Sequence, residues 1–218
     1  MKKYLSILII ALLTACSSEN PKQQKKATKP KVEVPTFNSD SAYHYIQTQV
    51  DFGPRYISSK GWDACGDYLY HEFKKHTPYV QEQNTPFTTY DGKNHQLRNI
   101  IAEFSPEKNN RILLCAHWDT RHVADHDTER TDEPILGAND GASGIAVILT
   151  LLSQINIKNY GIDILFADAE DMGNYGDAES WAIGSKLFSR KYPKPLPQFG
   201  ICIDMVADKD LEFKVEQY

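Results

Sequence analysis

The chain has 218 residues, 41% of them hydrophobic, enough to build one cored domain or a small pair. Its 24 basic and 29 acidic side chains give a net charge of −5, unevenly spread: residues 1–35 hold seven lysines against two glutamates, so the remainder is strongly acidic. That acidic remainder argues against a nucleic-acid partner, whose phosphates demand a basic face, and four cysteines are too few for a disulfide scaffold.

Met1-Lys2-Lys3 is a basic start, and Tyr4 to Leu13 is an uncharged, largely apolar run. The run is too short to span a bilayer comfortably but suits the apolar part of a secretory signal. Leu13-Thr14-Ala15-Cys16 resembles the lipobox of bacterial lipoproteins. That resemblance implies cleavage before Cys16 and a diacylglycerol on its thiol. Ser17 to Pro35 is rich in Lys, Gln, Ser and Pro, too polar to offset its ordering entropy, and reads as a linker. The expected organisation is a signal peptide over 1–15, a lipidated cysteine and flexible linker over 16–35, and one catalytic domain over 36–218. The protein would then be lipid-anchored in the bacterial cell envelope, facing the periplasm or the exterior.

Asn38 to Ser41 offers N-cap side chains, with Tyr45, Ile46 and Val50 at helical spacing until Gly53-Pro54 stops the pattern. Ser58-Ser59 opens a second helix with Trp62, Cys65, Tyr68, Leu69 and Phe73 on one face. Val80–Tyr90 and Leu97–Phe104 read as a hairpin turning at Asp91-Gly92. Ile112–Ala116, Ile162–Ala167 and Phe199–Ile203 are short, mostly apolar runs expected as strands buried on both faces. Helices are expected over Gly144–Ile155 and Ser180–Arg190. The predicted class is α/β, a mixed and mostly parallel central sheet flanked by helices. A strand-like stretch near Leu211–Val215 is followed at once by the end of the sequence, so the expectation is a sheet cut short at its C-terminal side.

Each of the three apolar strands runs into polar chemistry. Ile112–Ala116 is followed by His117-Trp118-Asp119-Thr120-Arg121, Ile162–Ala167 by Asp168-Ala169-Glu170-Asp171, and Phe199–Ile203 by Asp204. Between the first two lies Gly137-Ala138-Asn139-Asp140-Gly141-Ala142-Ser143-Gly144 at a helix start, with Asp140 at or near the N-cap. Open α/β sheets bind ligands beyond the carboxyl ends of their strands, so these clusters should converge on one rim. Several carboxylates in one place repel unless a cation neutralises them, and zinc accepts Asp, Glu and His. The pattern predicts a metal site.

These motifs resemble the zinc aminopeptidase superfamily called M28, and within it the glutaminyl cyclases, specifically the bacterial ones of animal-like type. Ala116 to Asp127 is the most specific stretch, extended by Trp181–Ser185, Asp204–Val206 and Asp51–Arg55, so the likeness covers about residues 38–218. It implies cyclisation of an N-terminal glutamine of peptides or proteins to pyroglutamate with loss of ammonia. It assigns Asp140 and Asp171 as ligands of one zinc ion, Glu170 as the catalytic proton shuttle and Asp204 as its hydrogen-bonding neighbour. His117 and Asp119 stand as ligands of a second metal or as supports behind the first. Trp118 and Trp181 are candidate walls of the substrate pocket.

Three departures accompany the likeness. The family's third ligand is a histidine downstream of Asp204, and no histidine follows His126. Tyr175-Gly176 stands where the animal enzymes carry a tryptophan. Cys115 occupies the place of half a disulfide whose other half is Ile145 here, so Cys65, Cys115 and Cys202 read as buried free thiols. Two rival functions stand beside the cyclase: a di-zinc aminopeptidase using His117 and Asp204 around a bridging Asp140, and a non-catalytic peptide-binding lipoprotein.

Overall fold

A computed structural model describes residues 33–155, 159–192 and 195–213. The signal segment, Cys16, nearly all of the linker and the end of the Leu211–Val215 stretch lie outside the described residues. Among the described residues no helix is long and apolar enough to cross a membrane. The chain divides after Val34, and everything below concerns the unit that starts at Pro35.

Two helices come first, each set by its cap. In α1 (Ser39–Asp51) the Asn38 side chain accepts from the Ser41 amide, and in α2 (Lys60–Lys74) the Ser59 hydroxyl accepts from the Trp62 amide. A hairpin follows, β1 (Val80–Thr88) and β2 (Asn94–Phe104), turning through Asp91-Gly92 with Gly92 at φ +80°. Then come β3 (Arg111–His117), α3 (Ala142–Leu152), β4 (Gly161–Ala167), a 3-10 turn at Ala178–Ser180, α4 (Ile183–Lys191) and β5 (Phe199–Cys202).

The strands form one sheet in the order β1-β2-β4-β3-β5. The hairpin joins it antiparallel, whereas β3 runs parallel to both β4 and β5, the pairing that helical crossovers impose. Side-chain alternation splits the core in two. Ile100, Ala102, Ala116, Ile162, Ile164 and Phe166 face α2 and α3, while Ile101, Leu165 and Ala167 face α4 through Phe188. All of β4 is buried, as its apolar run requires. Its one charged residue, Asp163, is matched by Arg111, whose Nε lies 2.8 Å from Asp163 Oδ2.

Three expectations change here. β5 is exposed along its whole length, with Phe199 and Ile201 about half open, because only β3 pairs with it among the described residues. Cys202 is therefore exposed and Cys115 only partly buried; Cys65 is buried as expected. The helix expected from Ser180 begins at Ile183, because Ala182 takes a left-handed backbone at φ 52° and breaks the run.

Phe73 has no exposed surface and stacks on Phe166 at a ring-centroid distance of 4.4 Å. Phe73→Ala should cost about 3–5 kcal/mol in urea unfolding. Tyr43→Ala, on the exposed side of α1, should stay within about 0.5 kcal/mol. Equal losses for the two would mean that α2 is not fastened to the sheet through this ring pair.

Candidate metal and catalytic site

The carboxyl ends of β3 and β4 lie side by side, since His117 pairs with Ala167, and β5 ends beside them, with the Ile203 amide donating to the Cys115 carbonyl at 2.8 Å. The strand-end motifs therefore share one rim. The Gly137–Gly141 loop closes over it. Gly141 has to be glycine: a Cβ there would stand 2.4 Å from the His117 carbonyl oxygen and 2.7 Å from its Nε2. Gly141 is also the N-cap of α3, with no side-chain cap, so Asp140 is released from capping and turns to the imidazole.

His117 is the hub. It is 5% exposed, with Nε2 2.9 Å from Asp140 Oδ1 and 3.4 Å from Asp204 Oδ1, and Nδ1 3.5 Å from Asp119 Oδ1. Two triads form around it. One ligand atom each from His117, Glu170 and Asp171 lies within 4.8 Å of the others, and so does one each from His117, Asp140 and Asp204. Asp140 and Asp171, expected as joint ligands, thus belong to different triads that meet at the imidazole.

Asp119 is wholly buried and supports the site from below: its two carboxylate oxygens accept the amides of Glu170 and Asp171, each at 3.1 Å. Trp118 is not a pocket wall. It has no exposed surface, stacks on Trp62 at 5.7 Å and donates its indole N–H to the Arg98 carbonyl, because its place after β3 turns it into the core. Trp181 is partly exposed and lies over Gly173, where a Cβ would fall 2.1 Å from the ring.

Two further residues hold the rim. Asp168 is fully buried and accepts from the Trp62 indole N–H at 3.0 Å and the Arg98 amide at 2.7 Å. Arg55 is likewise fully buried and spends its guanidinium on backbone carbonyls of Trp118, Gln49, Leu136 and Gly137, tying α1 to the two loops of the site. Asp168 sits inside a quoted motif, yet its partner Trp62 lies 106 positions away. Arg55 ended the Asp51–Arg55 stretch, but no sequence signal gave its contacts.

The electrostatics follow from burial and crowding. Desolvation, then the charge of Asp119, holds the Asp168 carboxyl protonated well above the usual range. Desolvation also raises Glu170, with Asp119, Asp204 and Asp140 adding to it and His117 opposing. Asp171 is pushed up to about 8, by burial first and then by Asp119 and Asp140. Burial disfavours charge on His117, but Asp119, Asp140 and Asp204 outweigh it and raise its proton affinity well above the usual value. Asp204, half exposed, is held below the usual carboxylate range by His117.

The residues fit a divalent cation. Both His117 ring nitrogens and Asp171 Oδ2 are buried without a hydrogen-bond partner, although carboxylates lie close to the imidazole. Unpartnered buried nitrogen and carboxylate oxygen among acidic neighbours is the donor set that zinc accepts.

Residues 99–218, more than half of the chain, match Peptidase family M28. The chain belongs to that family. Its fold matches solved structures of several names. The glutaminyl cyclase of Bacteroides thetaiotaomicron bound to N-acetylhistamine is 42% identical with a TM-score of 0.76, over 82% of this chain and 65% of that one. A leucine aminopeptidase precursor from the same organism is 42% identical with a TM-score of 0.77, over 83% and 66%. A Zn-dependent exopeptidase from Parabacteroides distasonis is 41% identical with a TM-score of 0.75, over 80% and 63%. The chain thus spans slightly less than two thirds of the length of these solved structures. A comparison with curated proteins returned no match.

Asp171 supplies a pH test. Folded, it keeps its proton up to about 8, whereas an unfolded aspartate releases its proton near about 4. The folded state therefore binds the extra proton between these values. The stability this contributes is complete below the lower one and lost as pH rises through the upper. Thermal unfolding in chelator should show Asp171→Asn losing less stability than the parent between about pH 5 and about pH 8. Identical pH slopes for the two proteins would refute the shift.

Proposed function

We propose that the chain carries the catalytic centre of a zinc-dependent glutaminyl-peptide cyclotransferase, which closes an N-terminal glutamine to pyroglutamate and releases ammonia. One observation carries the reading: Glu170, a carboxyl with raised proton affinity, stands beside Asp171 and His117 on an acidic rim. The match to solved glutaminyl cyclases at about 42% identity supports it. The substrates are peptides and proteins with a free N-terminal glutamine.

Asp140 and Asp171 would hold a single zinc ion, with the unpartnered His117 nitrogens beside them. When bound, zinc supplies a Lewis acid that polarises the γ-amide carbonyl. The remaining work falls to the chain. Glu170 takes a proton from the free α-amine as its nitrogen attacks the γ-carbonyl carbon, and the raised affinity of that carboxyl suits it to hold the proton. It then delivers the proton to the departing nitrogen as the carbon–nitrogen bond breaks, and ammonia leaves. Asp204, expected as a hydrogen-bonding neighbour of Glu170, meets His117 instead and keeps its charge there. Trp181 walls the cleft and excludes the water that would hydrolyse the amide.

A second reading rests on the two triads. A buried histidine shared between Glu170–Asp171 and Asp140–Asp204 suits two cations as well as one, and a di-zinc aminopeptidase would use both. Zinc content and products separate the two readings. With zinc added, a glutamine-leading dipeptide should release ammonia, and Glu170→Ala should lose about 10²–10⁴-fold in rate. Free amino acids from alanyl or leucyl dipeptides, with two zinc ions per chain and no pyroglutamate, would replace the cyclase by the aminopeptidase.

We also propose that Cys16 carries a lipid and tethers the protein to the cell envelope; the support is the Leu13–Cys16 sequence and the polar stretch after it. Cys16→Ser should move the protein from the membrane to the soluble fraction of a bacterial host. Retention in the membrane fraction would count against the anchor.

A further inference from the structure

The turn that carries Glu170 and Asp171 has almost no regular structure of its own. Its backbone groups are satisfied from outside, and the partners divide by charge. Asp119 accepts the amides of Glu170 and Asp171. Arg121, two residues further along the same loop, donates Nη1–H to the carbonyls of Asp171 at 3.0 Å and Gly173 at 3.1 Å. The anion takes the N–H groups and the cation takes the C=O groups.

Arg121 is itself held on three sides. It is 8% exposed, and its Nε and Nη2 both bond the Asp125 carboxylate. Its guanidinium carbon lies 4.9 Å from the Trp181 ring centroid and 5.3 Å from that of Tyr175. Trp181 donates its indole N–H to the Asn174 carbonyl, and the Tyr175 hydroxyl meets His126 Nε2 at 2.6 Å, so both rings are tied to the same two loops. A planar, buried guanidinium with its Nε–Nη2 edge on Asp125 and its Nη1 on two carbonyls joins three loop groups in one plane, which a flexible ammonium does not reproduce.

We propose that Arg121 is a positioning residue: it fixes the angle at which the Glu170–Asp171 turn presents its carboxyls to the metal and to the reacting amide. The part that concerns the reaction rests on the cyclase reading; the part that concerns the turn does not. Arg121 touches no reacting atom. Its effect runs through the Asp171 and Gly173 carbonyls and is felt at Glu170, where about 1 Å of misplacement weakens proton transfer by about 10²-fold.

The test compares the parent with Arg121→Met, Arg121→Lys and Asp125→Asn by amide hydrogen exchange, zinc titration and steady-state kinetics. In Arg121→Met the amides of residues 170–174 should exchange at least about tenfold faster, while the β1–β2 hairpin keeps its parent rate. Zinc affinity should fall by about tenfold. The rate constant kcat for ammonia release should fall by about tenfold or more, with KM within about twofold. Arg121→Lys should resemble Arg121→Met, and Asp125→Asn should shift the same readouts less. Parent-like exchange at 170–174 overturns the proposal, and so does full recovery by lysine. A raised KM with unchanged kcat also overturns it, since Arg121 would then bind substrate. Should Arg121→Met fail to fold, Asp125→Asn decides by exchange. If the parent itself releases no ammonia, the cyclase reading fails, and exchange with zinc titration still judges the turn.

Discussion

Five carboxyl groups, from the wholly buried Asp119 to the half-exposed Asp204, gather around one buried imidazole. Asp119, Asp140 and Asp204 approach the His117 ring directly, and Glu170 and Asp171 reach it from the next strand end. Left alone, such a crowd repels itself, and the chain answers by retaining protons on Glu170, Asp171 and His117. Displacing those protons with one or two divalent cations is the other solution open to the same atoms. The surrounding structure keeps the crowd from relaxing. Asp119 is locked by two amides, Gly141 lets its loop come within contact of His117, and Arg55 fastens that loop to the first helix. Neither Arg55 nor Arg121 neutralises the central carboxylates. Arg55 spends its donors on backbone carbonyls, and Arg121 divides its own between Asp125 and two carbonyls, leaving the centre short of positive charge.

Much of this was legible in the sequence because it depends on local pattern. The apolar runs at Ile112–Ala116 and Ile162–Ala167 mark strands, although only the second is buried along its whole length, and the polar residues after them mark the rim where parallel strands end together. The caps at Asn38 and Ser59 and the turn at Asp91-Gly92 are likewise short-range chemistry, and each is found where the residues placed it. What escaped was long-range. Trp118 looks the same in sequence whether it lines a cleft or packs in the core; its stacking on Trp62 decides, and Trp62 is 56 positions earlier. The exposure of β5 depends on which strands flank it, which an apolar tetrapeptide does not state. Asp168 and Arg55 act chiefly through partners 63 to 106 positions away, beyond any periodicity. The split of Asp140 and Asp171 between two triads follows from loop geometry around His117.

The exposed edge strand has a consequence for how the centre is assembled. β5 is held by β3 alone among the described residues, and the chain reaches Asp204 just two residues after it ends. Strands with one neighbour and bare apolar side chains are the first to fray and the last to settle. Of the acidic walls around His117, the one contributed by Asp204 is therefore moored to the least protected part of the sheet. Glu170 and Asp171 follow the fully buried β4, and Asp140 precedes the buried α3. A cation entering between them would do more than complete a coordination set: it would staple the margin of the sheet to its middle. Loading and the final closure of the fold would then be a single thermodynamic event, with affinity for the ion measuring in part how firmly that margin is already in place.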